Sequence, residues 1–280
     1  MAAVFMSGFV AIRDPDDARL SPYRSLKGKE LERDGIFIAE GEKVVRSIAE
    51  SGCRIASCLT AGGAVARYKS LLKIMVKKGA TIYVAPDELI EEIIGFRFHR
   101  GIMAVGHCPK KLSVSEALKT SGRPLFIAEL NAINDPQNVG LIVRSAVAFG
   151  VQALIIDNAT YDPYYRKAVR VSMGTIFELP VCYEDDLASS LVGIRKKYGT
   201  RIIAATLGRG AGDIADVELS GDICFVFGNE DKGVSRKVLS IADSKVRIPI
   251  SRTVDSLNVA SASAICLYEA SRYRSPLKSG

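Results

Sequence analysis

The stretch NDPQNVGLIVRSAVAFG, residues 134–150, reads as a helix of core-like composition that opens on a turn holding Asn138 and carries one arginine, Arg144, in its apolar body. A guanidinium suits an anion, because its planar fork forms paired charge-assisted hydrogen bonds with carboxylate or phosphate. It is also long enough to snorkel from a purely structural helix, so this segment decides nothing alone. FGNEDKGVS, residues 227–235, ends an apolar run in a turn with Glu230, Asp231 and Lys232. Asn, Asp and Gly favour such turns, and in isolation this one is ordinary. The segment IPISRTVDSLNVASASAICLYEA is harder to read as structure only. Ser256 is expected to cap the last helix, placed from Ser256 to about Tyr273. That leaves Asn258 inside the first turn, where asparagine is a poor choice unless its amide is needed. The run Ala260, Ser261, Ala262, Ser263, Ala264 keeps the helix thin, so another backbone can approach closely, within the chain or across a subunit interface.

Positioning these groups requires an alternating α/β chain. After a polar opening, GIFIAEG, CRIASCLT, ATIYVA and RGIMAVGHC read as strands separated by helical EKVVRSIAES, AVARYKSLLKIMVKKG and PDELIEEIIG. This is a compact α/β module over residues 1–112, and the polar stretch 113–123 reads as a linker. Residues 124–280 alternate again, with LFIAEL, ALIIDN, ELPVCY, RIIAATL, DICFVFG and KVRIPI as buried strands and helices between them. Continuous apolar strands indicate a parallel sheet covered on both faces, and ligands in such sheets bind at the carboxyl ends of strands. All three segments above are strand exits or follow one. A fourth exit, LGRGAGD, has its glycines as GxGxG and does not fit the dinucleotide fingerprint.

The chain of 280 residues has a net charge of +7 and 48% hydrophobic residues, enough for sizeable cores. Residues 1–123 hold 20 Lys and Arg against 14 Asp and Glu, whereas residues 124–280 hold 18 against 17. A basic module joined to a nearly neutral one points to an anionic partner, with nucleic acid leading. Six cysteines without paired spacing read as buried hydrophobes of a reducing compartment, the cytoplasm. With only His99 and His107, no metal site is expected. Neither a membrane span nor an export signal is expected.

Together the three segments resemble the SpoU (TrmH-type) branch of the SPOUT RNA methyltransferases, whose first, second and third motifs they match in order and separation. VRVSMGTIFELPV is similar to the stretch joining the first two motifs, and FIAEGEKVVRSIAESG with RGIMAV resembles more loosely the family's ribosomal-protein-like substrate-binding domain. Two departures stand out: Asp231 lies where many members have glycine, and Asn131 near where an aspartate often stands.

The resemblance implies an α/β fold with a trefoil-knotted C-terminal sheet, S-adenosylmethionine as cofactor, and methyl transfer to a ribose 2′-hydroxyl of RNA, ribosomal RNA being favoured. A transfer RNA methylase and a non-catalytic RNA-binding assembly factor are the alternatives. It implies cofactor binding by three loops: Thr206, Leu207 and Gly208; Phe227, Gly228, Asn229 and Glu230; and Ile248, Ile250, Ser256 and Leu257. It makes Arg144 the central catalytic group, whether as base or as anchor of a phosphate and a developing alkoxide. A guanidinium holds its proton firmly, which favours the anchor. Asn138 would orient the nucleotide or Arg144, Ser256 and Asn258 would bond the ribose, and Glu230 would pair with Arg144 or with a second subunit's arginine. A homodimer through the C-terminal domain is implied. Lys27, Lys29, Arg97 and Arg100 are candidate phosphate contacts of the basic module.

Overall fold

The computed structural model describes residues 8–24, 35–98 and 101–274. In chain order the elements are β1 (Phe9–Ala11), α1 (Ser21–Arg24), β2 (Ile36–Glu40), α2 (Glu42–Glu50), β3 (Ile55–Ala61), α3 (Lys69–Lys77), β4 (Thr81–Ala85), α4 (Asp87–Ile94), β5 (Ile102–His107) and α5 (Val114–Ala117). There follow β6 (Phe126–Asn131), α6 (Pro136–Ala148), β7 (Ala153–Ile156), α7 (Arg166–Val171), β8 (Val181–Tyr183), α8 (Leu187–Tyr198), β9 (Arg201–Ala205), β10 (Gly212–Asp213), β11 (Ile223–Gly228), α9 (Arg236–Ile241), β12 (Ser244–Arg247) and α10 (Val259–Ser271). The chain divides into two compact units, Met1–Pro109 with Tyr164–Phe177, and Lys110–Pro163 with Glu178–Gly280.

The first unit is built on a five-stranded mixed sheet of order β1-β4-β3-β5-β2, in which β5 runs antiparallel to β3 and β2. Its helices are amphipathic: α2 buries Val44, Val45, Ile48 and Ala49, and α4 buries Ile90, Ile93 and Ile94. Asp87 and Glu88 sit in the first turn of α4, where the helix dipole favours anions, and Gly95 ends the helix at φ 75. The segment carrying α7 is an unexpected member of this unit, since the sequence placed it with the second half. Arg166 pairs with Glu40 at 2.8 Å, Ser47 Oγ donates to the Gly174 carbonyl at 2.9 Å, and the Phe37 ring meets those of Tyr164 and Phe177. Apolar and charged contacts of α7 on β2 thus outweigh its proximity in sequence to β7 and β8.

The second unit holds a seven-stranded sheet, parallel throughout, of order β10-β12-β9-β11-β6-β7-β8. Every residue of β6, β7 and β11 is buried, which explains their unbroken apolar runs. One face packs Ile127, Ile155, Ile202 and Val226 against Leu187, Leu191 and Ile194 of α8 and Val238 of α9. On α6, Val139, Ile142, Val143 and Ala146 are buried, and α6 packs against α10. On α10 the small residues Ala260 and Ser263 are buried, and Ser263 Oγ donates to the Ala260 carbonyl at 2.8 Å.

The stretch 113–123 departs from the linker expectation. Ser113 and Glu116 form a complete capping box around α5, and Val114, Ala117 and Leu118 enter the core of the second unit. Three apolar side chains at helical spacing gain more from burial than an open linker would.

Glu129, at the centre of β6, is fully buried, and neither carboxyl oxygen has a partner among the described residues. Burial, reinforced by the nearby Asp157, holds its carboxyl well above the ordinary range. A carboxyl raised in the folded state keeps its proton there while the unfolded chain has lost it, so folding stability falls as pH rises above the ordinary carboxylate range. We therefore expect Glu129→Gln to be more stable than the parent at neutral pH, with a gap that grows by up to about 1.4 kcal/mol per pH unit above about pH 4.5. Denaturant unfolding of both proteins between about pH 5 and 8 checks this; a pH-independent gap contradicts it.

Candidate active site

The carboxyl end of β6 is stitched to two neighbouring strand exits. Asn131 is buried; its Nδ2 donates to Asp157 Oδ2 at 2.9 Å, and its Oδ1 accepts from the Ser235 amide at 2.7 Å. Asp157, just past β7, also accepts from the Ala132 amide at 3.0 Å and from the Thr160 amide and hydroxyl at 2.8 and 2.7 Å. These bonds hold Ala132 at φ 59, a left-handed conformation that costs a non-glycine residue strain. The chain then turns into α6, where Asp135 caps the helix through the Gln137 amide and Pro136 occupies the first turn.

The turn after β11 is closed on itself. Asn229 Oδ1 accepts from the amides of Asp231 and Lys232 at 3.0 and 2.9 Å, while its Nδ2 donates to the Ala132 carbonyl at 2.8 Å. A Cβ at Gly228 would lie 2.1 Å from the Val234 nitrogen, so only glycine fits.

Three distant residues then meet through side-chain amides. Asn258 Oδ1 accepts from the Ala260 and Ser261 amides at 2.9 and 3.4 Å, which makes Asn258 the N-cap of α10. Its acceptor is committed there, so its Nδ2 must donate, and it does so to Asn138 Oδ1 at 3.0 Å. The buried Asn138 in turn donates through Nδ2 to Glu230 Oε1 at 2.7 Å. Glu230 Oε2 accepts from the Asn134 amide at 3.3 Å. Every donor in this chain points toward the carboxylate, and its far end is the positive terminus of α10. Polarity is consistent from one end to the other.

This arrangement corrects the expectation for the last helix. It begins at Val259, and Asn258, not Ser256, is its cap. Ser256 is exposed and lines the cleft. Glu230 does not pair with Arg144 in the chain; it accepts from the Asn138 and Asn229 side chains and from the Asn134 amide. Arg144 is exposed, on one stripe of α6 with Gln137, Leu141 and Ala148, and is absent from the cleft wall. Its helix is therefore core-like on one side only. Arg97 is exposed, whereas Lys27, Lys29 and Arg100 lie outside the described residues.

The cleft of about 740 Å³ opens at the carboxyl ends of β9, β11 and β12. Its wall brings together all three loops expected to hold a cofactor: Thr206, Leu207 and Gly208; Phe227 to Glu230; and Ile248, Ile250, Ser256 and Leu257. Asn258 also lines it, whereas Asn138 stands behind, reaching it through Glu230 and Asn258. Leu207 and Leu257, at 57% and 37% exposure, present apolar surface at the mouth that a flat ligand would cover. Cys266 faces the cleft from α10, but burial pushes its thiol up to about 12, so it is neutral and no nucleophile. Among the described residues no group of three or more His, Cys, Asp or Glu is placed to hold a metal.

Sequence reasoning missed Asp157 and Thr160 as organisers of the site. The signal was the exit ALIIDN, whose aspartate, the first residue past β7, occupies the same kind of position as the three motifs.

The second unit thus presents a parallel sheet whose exits after β9, β11 and β12 line one cleft, with its terminal helix returned onto α6. The model of the SpoU rRNA Methylase family matches residues 126–268, and the chain belongs to that family. A tRNA/rRNA methyltransferase of Mycobacterium bovis, itself uncharacterized, is 33% identical over 267 residues, 92% of this chain and 90% of the relative. A 23S rRNA (guanosine-2'-O-)-methyltransferase of Acinetobacter baylyi is 29% identical over 214 residues, 74% of this chain and 85% of the relative. Among solved structures, the SpoU methyltransferase AviRb of Streptomyces viridochromogenes in complex with AdoMet matches with a TM-score of 0.79 at 25% identity, covering 91% of this chain and 98% of that one.

The Asn131 network gives a direct test. Asn131→Asp removes the Nδ2 donor and sets a second carboxylate against Asp157, which should lower stability by about 1–3 kcal/mol at pH 7. The loss should shrink toward about pH 4, as one carboxylate takes up a proton. Urea unfolding at both pH values measures it, and an equal loss at each argues against the contact.

Proposed function

We propose that this protein transfers the methyl group of S-adenosylmethionine to a ribose 2′-hydroxyl of ribosomal RNA. The observation that carries the reading is the convergence of three strand exits on one cleft, closed behind by the Glu230–Asn138–Asn258 relay. S-adenosylmethionine, when bound, supplies an electrophilic methyl carbon on a sulfonium. The cleft suits such a group: an apolar mouth at Leu207 and Leu257 for a flat base, and loops whose backbone can bond polar edges.

The chain's own residues have two tasks. A ribose hydroxyl is a weak nucleophile at neutral pH, so it must be held in line and relieved of its proton as the new C–O bond forms. Ser256 and Asn258, on the cleft wall, hold the ribose, with Asn138 and Glu230 fixing the orientation of Asn258. Arg144 anchors the adjacent phosphate and stabilises the oxygen as negative charge develops on it. Its solvent exposure fits an external anion better than an internal partner.

The protein acts as a homodimer through its C-terminal unit. Leu141, Ile265 and Tyr268 are large exposed apolar groups on α6 and α10, the helices beside the cleft, and Phe149 sets its ring against Tyr268 at 5.7 Å. Burying this face would carry Arg144, on the same stripe as Leu141, into the interface region. The basic N-terminal unit grips RNA, and Arg97 is one contact. Ribosomal RNA is favoured over transfer RNA because a relative named as a 23S rRNA methyltransferase shares most of the chain. Among the described residues no helix is long and apolar enough to cross a membrane, and six free cysteines suit the cytoplasm.

Arg144→Ala should reduce methyl transfer on the order of 10²- to 10³-fold, with S-adenosylmethionine affinity unchanged by calorimetry. Turnover at the parent rate contradicts the role. Incubating labelled cofactor with separate ribosomal and transfer RNA fractions should place label in the former. Tyr268→Asp should shift sedimentation toward a monomer with lower activity; an active species that is monomeric before and after contradicts the dimer.

A further inference from the structure

Between Glu50 and Asp87 the chain has no acidic residue, yet it carries Arg54, Arg67, Lys69, Lys73, Lys77 and Lys78, six cations against no anion. That equals the whole excess of residues 1–123, where 20 − 14 = 6. The basic character of the N-terminal half is therefore concentrated between Arg54 and Lys78, with five of the six cations in α3 or directly beside it.

Helix α3 sorts these residues by face. Leu71, Leu72 and Met75 are buried against the sheet, and Lys69, Lys73 and Lys77 are exposed. Four-residue spacing places the three ammonium groups in one row, each step advancing about 6 Å along the axis. Their neighbours are already engaged: Arg67 pairs with Glu42 at 2.8 Å and lies over the Tyr68 ring at 5.2 Å, and Lys78 donates to the Ser51 carbonyl at 2.5 Å. None of the three row lysines has an ion-pair partner among the described residues. Like charges four apart on a helix repel and slightly destabilise it. No anion on α3 relieves that repulsion. Ile74, 37% exposed, lies beside the row as an apolar flank.

We propose that Lys69, Lys73 and Lys77 form a docking row for the phosphate backbone of RNA, a contact carried by the N-terminal unit in addition to the methyl-transfer cleft. This rests on the reading of RNA as substrate. A regular polyanion is the partner that matches a regular row of exposed ammonium groups. Lysine supports it as a point charge without demanding a fixed bidentate geometry, so the row favours backbone over base sequence.

The test compares the full-length protein with K69Q/K73Q/K77Q, binding deproteinised bulk ribosomal RNA across about 50 to 200 mM salt. Each lost phosphate contact should reduce the slope of log affinity against log salt by about 0.7 to 0.9, so the triple variant should lose about two units. Its KM for RNA should rise while kcat at saturating RNA stays the same. K119Q/K196Q/K197Q, an equal charge change on exposed lysines of the other unit, should leave the slope at the parent value. An unchanged slope in the row variant overturns the proposal, as does an equal fall in the control. If the parent transfers no methyl group to RNA, the functional reading fails, while the slopes still judge the row separately.

Discussion

The site depends on one hydrogen-bonded chain, Glu230–Asn138–Asn258, that joins residues from three strand-exit segments far apart in sequence. Its direction is fixed by helix capping. Once Asn258 Oδ1 accepts from the first amides of α10, the remaining amide can only donate, and the same logic passes through Asn138 to the carboxylate. A buried amide at Asn138 is tolerated because both of its ends are satisfied. Removing Asn258 would leave the Oδ1 of the buried Asn138 without its donor.

Around that relay the fold does the coarse positioning. A parallel sheet gathers the exits of β6, β9, β11 and β12 on one edge, and the return of α10 onto α6 brings the third motif back beside the first. The Asn131–Asp157 pair locks β6 to β7, and the closed turn at Asn229 leaves Glu230 little freedom. Strain at Ala132 is held by those bonds.

Much of this was legible in the residues. Continuous apolar runs gave the parallel sheet, and the rule that ligands sit at strand exits pointed to the loops that line the cleft. Other features were hidden for physical reasons. The sequence reading placed the cap at Ser256 and left Asn258 inside the first turn; in the structure Asn258 caps α10 and also bonds Asn138, 120 residues away and beyond the reach of any local pattern. Residues 113–123 look polar overall, although the S-x-x-E pattern at Ser113 and Glu116 with Val114, Ala117 and Leu118 encodes a buried turn. The docking of α7 on β2 depends on Glu40 meeting Arg166, a contact 126 residues apart that no local pattern announces. Arg144 looked like a charge inside a core because Leu141 and Ala148, its apolar neighbours in sequence, share its exposed stripe.

The most direct measurement is a double-mutant cycle on Asn138→Ala and Asn258→Ala, reading methyl transfer as kcat/KM on RNA. Because both side chains act through one chain of bonds, the two losses should overlap, with a coupling of at least about 1 kcal/mol. Strictly additive losses would mean that the two asparagines work independently and that the relay does not hold the site together.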